Sequence, residues 1–564
     1  MKKVKWLQQR VDAAQGRVDC DLILKNATYL DVFSCEWRQG ELAVANGVIV
    51  GMEPGLKSRR NVDVQGKWVV PGFIDAHVHL ESSLMTPKYF QEAVLSKGTT
   101  TAVCDPHELA NVMGVAGIQY FLDAAEDLDL DLWVMLSSCV PATHMETNGG
   151  GEIVAAQLAK LKKHPRALGL AEMMNVPGVL NGDLNVMEKL HLFSGDLIDG
   201  HCPLVRGQAL SAYAAAGISS CHESSEFEEA REKLSKGIAV WIREGSVAKD
   251  LKAIHPLLSL ATSTSMGFCT DDRNPLDISL EGHIDHLVRR SIQYGIDPRV
   301  AYRTASWSVA RHYGLGSARN RVGAIAPGFQ ADLVVLEDMQ SCSIAQTLKK
   351  GIFTHERGSR SGAENHSFTN SIRVRVPEAV DFEGPRGRVH VIGVIEGKII
   401  TEHQIRDSSE EGVLKLSVLE RHGKGSRPAN GYVDGFGSAL RGAIASSVGH
   451  DSHNLIVVGD HADDMRVAVA ALADLGGGFC VVQRGKVLAQ LSLPFGGLMS
   501  DRSPSELTQS LKDLKAASRT IGCELQEPFL QLAFLSLPVI PSLKLTDRGL
   551  VDVDAFRIID VRAS

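Results

Sequence analysis

The chain has 564 residues, too many for one hydrophobic core, so two to four domains are expected. It is 44% hydrophobic and 22% charged with a formal net charge of -8, an ordinary globular composition that favours neither nucleic acid nor an acidic membrane surface as a partner. No run of 18 apolar residues occurs, the basic N-terminus lacks an apolar segment behind it, and ten cysteines form no CxxC pair; neither a spanning helix nor a signal peptide is expected, and the thiols suit a reducing cytoplasm.

Residues 21 to 68 read as alternating strands separated by Asn46-Gly47 and Gln65-Gly66 turns. From residue 69 a different rhythm begins. Short apolar runs end in polar residues, and helix-length stretches separate them. The runs are 69–79, 99–108, 132–143, 167–175, 197–203, 218–224, 238–246 and 266–272. Amphipathic stretches such as EIVAAQLAKLKKH and FEEAREKLSKG lie between them. Eight strand-then-helix units predict a (β/α)8 TIM-type barrel over 69–318. Residues 322 to 356 return to the strand pattern of the first segment, so 1–68 plus 319–372 are expected to close a small flanking β-sandwich. From 373 to 564, strands such as RVHVIGVIEGKII and NLIVVGD mix with helices such as DDMRVAVAALADL, which predicts an additional C-terminal α/β domain.

Active sites of such barrels lie at the C-terminal ends of the strands. The first run, VVPGFIDAHVHLESS, ends in His77 and His79, which a strand projects to one face. Later ends offer Asp105, His107 and Glu108, then Glu172, His201, His222, Glu244, and finally Asp271 with Asp272. This set can hold two divalent cations. His77, His79 and Asp271 would bind one, His201 and His222 the other, with Glu172 as the bridge. Such a pair can share a hydroxide and lower its pKa, and Asp271 can take that proton and pass it to a leaving group. The Asp105–Glu108 cluster has three readings: it orients a ligand histidine, contacts substrate, or binds metal itself. The cysteines near strand ends read as packing residues.

These residues carry a resemblance. PGFIDAHVHLESS, CDPHELANV, SSCVPATHMET, IREGS, CTDDRNP and the PGFQADLVVLED return are similar to the amidohydrolase superfamily, and within it to the adenine deaminase family, along essentially the whole chain. Glu172 stands where many superfamily members carry a carboxylated lysine. The resemblance implies hydrolytic deamination of adenine to hypoxanthine and ammonia by a metal-bound hydroxide, with Mn2+ or Fe2+ rather than Zn2+. Adenine also needs a proton on a ring nitrogen, and Glu108, Glu81 and Glu146 are the candidate neutral acids. The catalytic set is then Asp271, Glu108 and Glu172. Asp272 is expected to accept a purine N–H by analogy with purine-nucleoside deaminases. Glu81, Ser82, Asp105 and His107 complete the substrate side, with Ser83 and the 138–147 loop shaping the pocket. The expected partners are a purine base and further copies of the chain, as a dimer or larger.

Two rivals stand beside this reading. One is another amidohydrolase reaction on a cyclic amide or N-acetyl substrate, for which a charged substrate would call for Arg or Lys at strand ends; only Arg243 and Arg273 are evident. The other is a metal-stabilised binding protein. In the C-terminal region, His450, Asp451 and His453 are read as structural within that region, with reach into the pocket as the alternative.

Overall fold

The computed structural model describes residues 2–316, 321–357, 371–425 and 427–563. The expected boundary at 318/319 lies outside the described residues, as does the 358–370 part of the flanking region.

The first run of the sequence splits in two. Trp68–Pro71 belongs to a flanking sheet, where it pairs antiparallel with Leu333–Asp338. After Gly72 the chain enters the first barrel strand, β1, Phe73–Val78. Glycine is required there by close approach, since a Cβ would sit 2.2 Å from the Thr100 hydroxyl oxygen. The following parallel strands are β2 (Thr99–Cys104), β3 (Asp131–Leu136), β4 (Ala167–Met173), β5 (Leu197–Gly200), β6 (Ser220–Cys221), β7 (Ala239–Arg243) and β8 (Met266–Cys269). β1 to β5 form one curled parallel sheet and β6 to β8 another, a TIM-type arrangement. The two are linked beyond β1 and β8, where Val78 pairs with Asp271 through Asp271 N–H to His77 O (3.0 Å) and His79 N–H to Asp271 O (3.2 Å).

Alternation along the strands builds the interior. Ile74, Ala76, Val103, Trp133, Met135, Leu168 and Trp241 pack in one central cluster, while Leu132, Val134 and Leu136 face the surrounding helices. The centre is therefore filled, with Asp199 held among these side chains by the hydroxyls of Ser220 (2.5 Å) and Tyr313 (2.7 Å), and the rim is left open for further polar groups.

The flanking region is one eight-stranded sheet, drawn from residues 22–71 and 333–353. The Asn46-Gly47 turn has positive φ at both positions (50° and 73°), the geometry a two-residue hairpin between Glu36–Ala45 and Val48–Gly51 needs. Lys349 ties this sheet to the bottom of the barrel. Its fully buried Nζ donates to Asp332 (2.6 Å), Asp131 (2.8 Å) and the Thr100 carbonyl (2.9 Å).

C-terminal residues form an eight-stranded mixed sheet, a three-stranded meander (543–559), and helices Ala462–Leu475 and Pro504–Thr520. Leu491, Phe495, Leu498, Met499 and Leu507 share one continuous core with Leu84, Met85, Phe90 and Leu109 of the barrel. The region is thus packed against the barrel's upper face. No helix among the described residues is long and apolar enough to cross a membrane.

Lys349→Ala removes the nearest cation from two buried carboxylates, leaving Asp131 only the more distant Lys350 (3.6 Å) and Arg166 (3.7 Å). It is expected to destabilise the chain by about 3–5 kcal/mol, read as a lowered urea midpoint.

Candidate active site

Ile74 and Ala76 point into the barrel, so an undisturbed strand would turn His77 and His79 outward. A register shift between Asp75 and Val78 reverses the alternation and brings both histidines to the rim. The bend is held by Asp75, whose carboxylate accepts from His77 N–H (3.3 Å), Thr270 N–H (3.1 Å) and the Thr270 hydroxyl (2.5 Å).

Glu172, at the end of β4, stands at the centre. Its Oε1 lies 3.7 Å from His77 Nε2, 3.2 Å from His79 Nε2 and 3.3 Å from His107 Nδ1. Its Oε2 lies 2.8 Å from His201 Nδ1 and 3.2 Å from His222 Nε2. Asp271 Oδ1 is 3.4 Å from His77 Nε2 and 3.1 Å from His79 Nε2. All these side chains are buried. Burial alone would raise both carboxyls; the facing histidines, joined at Asp271 by Arg243, outweigh it and hold both well below the usual range.

The donor set fits a divalent cation. His79 Nδ1 faces the Asp105 carbonyl at 3.1 Å, which can only accept, so Nδ1 carries the hydrogen and Nε2 presents a lone pair. That lone pair lies 3.1 Å from His77 Nε2, and His201 Nε2 is buried with no hydrogen-bond partner. Four groups of donor atoms among the described residues lie close enough to share an ion, and three of them contain the expected ligands: His79 with Asp105, His107 and Glu172; His77 with His222 and Asp271; and Glu172 with His201 and His222. Every residue expected as a ligand falls in these groups, although His77 and His79 divide between two of them.

The second rim segment resolves into distinct jobs. The Asp105 carbonyl orients His79, and its carboxylate binds His107 Nδ1 (3.1 Å) and accepts from the Ser137 hydroxyl (2.8 Å). Glu108 lies behind the rim. The Ser82 hydroxyl sits 3.1 Å from Glu108 Oε1 and 2.5 Å from Asp272 Oδ1. One hydroxyl has one hydrogen, so satisfying both contacts needs a proton on a carboxyl. Burial and Asp272 raise Glu108, and burial with Glu108 beside it pushes Glu81 up to about 8. Glu81 accepts from Leu109 N–H at 3.0 Å. Glu146 is pushed to about 8, by burial first and then by Asp451.

The cleft has a volume of about 470 Å³, counting the part open to solvent. His79, His107, His201, His222, Asp271 and Asp272 line it, whereas Glu81, Ser82, Asp105 and Glu108 do not. Glu244 turns away to accept from Leu251 N–H (3.2 Å), and Arg273 supports the carbonyls of Glu244 and Gly282.

Sequence reasoning missed two contacts. Glu223, directly after His222, binds Arg243, and Arg243 Nη1 also donates to Asp271 Oδ2 (3.0 Å). A charged residue at each of two neighbouring strand ends was the available signal. His450 and Asp451 line the cleft, which is the alternative, and not the preferred, of the two readings their sequence allowed. No local pattern predicts a contact across so many residues.

The sequence profile of the amidohydrolase family matches residues 68–353, and that of the adenine deaminase C-terminal domain matches residues 394–557. The chain is 46% identical over 567 residues to adenine deaminase 1 of Rhizobium meliloti, covering 98% of this chain and 99% of that protein. It is 48% identical over 566 residues to an adenine deaminase of Cereibacter sphaeroides, with the same coverage. Among solved structures, N-acetyl-D-glucosamine-6-phosphate deacetylase from Mycobacterium smegmatis aligns at 17% identity and a TM-score of 0.44, over 59% of this chain and 99% of that one.

Glu146 supplies a pH prediction. With its carboxyl at about 8, the native state keeps a proton that the unfolded chain releases near the ordinary value of 4.5. Stability therefore falls as pH rises through that window and levels off above it. Glu146→Gln removes the penalty. Its unfolding midpoint should exceed wild type at about pH 9, with the gap closing towards about pH 5; equal midpoints at both pH values would refute the assignment.

Proposed function

The chain belongs to the amidohydrolase family and, within it, to the adenine deaminases, and from that premise we propose how its residues hydrolyse adenine to hypoxanthine and ammonia. The observation that carries the assignment is convergence: Glu172 lies between 2.8 and 3.7 Å from five histidines drawn from four separate stretches of chain.

C6 of adenine belongs to an aromatic ring, so attack there needs an activated water and a proton on a ring nitrogen. A divalent metal, read here as two ions, would supply the activation of water near neutral pH. His77, His79, Glu172, His201, His222 and Asp271 would hold it. Imidazoles with carboxylates suit Zn2+, Fe2+, Mn2+ and Co2+ alike; the family resemblance is what favours Mn2+ or Fe2+, and a site with no thiolate removes one reason to prefer Zn2+.

Asp271 takes the proton of the attacking water and delivers it to the departing amine. Arg243 holds its Oδ2, so Oδ1 is the oxygen left to face the histidines. Oxygen adds at C6, the C6–N bond then breaks, and ammonia leaves with that proton, while the second proton of the water replaces the one given to the ring nitrogen and restores the acid. Asp272, on the cleft wall, accepts a purine N–H. Glu108 keeps the proton of the Glu108–Ser82–Asp272 chain, from which the ring nitrogen is supplied; its burial and the neighbouring Asp272 favour the protonated form. Asp105 orients His79 and His107, and His107 faces the base.

The same reading extends to the architecture. We take β1 to β8 as one closed (β/α)8 barrel over 69–318, the flanking sheet as a β-sandwich from 1–68 plus 319–372, and 373–564 as a C-terminal α/β domain. Ten buried thiols with no disulfide support a cytoplasmic enzyme. Exposed Val4, Trp6 and Leu7 on the N-terminal helix support assembly into a dimer or larger.

Manganese-loaded protein mixed with adenine should convert its ultraviolet spectrum to that of hypoxanthine and release one ammonia per base; an unchanged spectrum would sink the reading. Asp271→Asn should lower kcat by about 10²–10⁴-fold, measured in the same assay at equal metal content.

A further inference from the structure

His450, Asp451 and Phe534 come from the C-terminal region yet line the cleft beside His79 and Asp272, and the chemistry above leaves His450 without a task. This wall is fixed rather than hinged. Ser500 pairs with the chain at Leu84 and Thr86 (2.9 and 3.3 Å). Asn454 donates to the Thr147 carbonyl (2.8 Å), and Thr546 to that of Met145 (2.6 Å). The buried Lys544 ammonium donates to the carbonyls of Ile399 (2.8 Å) and Phe534 (3.0 Å), fastening two of the wall residues.

The imidazole of His450 is held on three sides. Its face stacks on Phe534, with centroids 4.6 Å apart and planes 7° from parallel. Its Nδ1 lies 3.3 Å from Glu108 Oε1 and 3.6 Å from Asp451 Oδ1. A ring nitrogen facing the Asp451 carboxylate and a Glu108 carboxyl oxygen, both able to accept, carries its hydrogen. Its Nε2 is buried with no hydrogen-bond partner, although buried polar atoms normally have one.

A cation held by Glu108, His450 and His453 would be another account, since their donor atoms lie within 4.8 Å of one another. His453 argues against it. Its Nδ1 accepts from Gly449 N–H at 3.3 Å, so the neutral ring carries its hydrogen on Nε2, the atom a cation would need.

We propose that His450 is a substrate-binding residue whose Nε2 hydrogen-bonds a ring nitrogen of the purine, with Phe534, Glu108 and Asp451 fixing the imidazole. The inference rests on the adenine-hydrolysis reading. It makes the C-terminal region part of the binding site, and it gives the base an orientation that the rim ligands alone do not set.

The test uses the full-length, manganese-loaded enzyme. Wild-type turnover of adenine is measured first, and failure at that point would count against the parent reading, not this one. His450→Phe keeps a ring against Phe534 but removes the polar atom; His450→Gln returns an amide near the Nε2 position. Phe should lower kcat/KM by roughly 10–100-fold, mainly through KM, and Gln should recover part of the loss. Inhibition by 1-, 3-, 7- and 9-deazaadenine gives a readout that a structural role would not move. Wild type should discriminate against one analogue, and the Phe variant should lose that discrimination at unchanged metal content. A Phe variant within twofold of wild type, a loss of activity that tracks loss of metal, or unchanged discrimination against all four analogues would overturn the proposal. If Phe prevents folding, the analogue comparison between wild type and Gln decides.

Discussion

Everything at the rim depends on Glu172. One buried carboxylate faces five imidazoles, and His222, His201 and His107 outweigh the burial that would otherwise neutralise it. Those imidazoles in turn are tolerable in a dry setting only if their lone pairs have something to bind. The unpartnered His201 Nε2 and the close approach of His77 Nε2 to His79 Nε2 express that requirement. Such an arrangement is unfavourable as a structural core, and it becomes reasonable once a cation is part of the fold.

A second layer makes the geometry precise enough for chemistry. Asp75 anchors the bend that turns His77 and His79 inward, and the Asp105 carbonyl fixes which nitrogen of His79 is free. Arg243 occupies the far oxygen of Asp271. Asp271 itself has a φ of 54°, a left-handed conformation that aspartate accepts more readily than most residues. The conformation is held by the backbone pairing with His77 and His79, the same contact that links the two parallel sheets. Sheet closure and site geometry are one event here, which is a physical reason for strain to persist at that residue.

The C-terminal region contributes differently. It shares a core with the barrel's upper helices, and it presents Ile399, Phe534 and Leu537 to the cleft as an apolar wall opposite the charged rim. An aromatic base needs both surfaces: a polar edge where its nitrogens are read and an apolar face against which its ring can lie. The region also clasps the 138–147 loop through Asn454, Asp547 and Thr546, so that loop is shaped from both sides.

Eight apolar runs with polar ends identified the barrel-type segment and the positions whose donor atoms cluster at its rim, because strand periodicity and strand ends are local properties of the chain. His77, His79, Glu172, His201, His222 and Asp271 were visible for that reason. What they touch was not. The inward turn of His77 and His79 depends on a register shift against β2, and the role of Glu108 depends on Ser82, Asp272 and His450 meeting it in the interior. The division of Asp105, His107 and Glu108 among three jobs, the pairing of Arg243 with Asp271, and the arrival of His450 at the cleft arise from contacts across tens to hundreds of residues. Such contacts are selected by packing and by the need to satisfy buried charge. Sequence alone determined which chemistry the rim could host; the tertiary fold decided which nitrogen, which oxygen and which distant side chain would face the substrate.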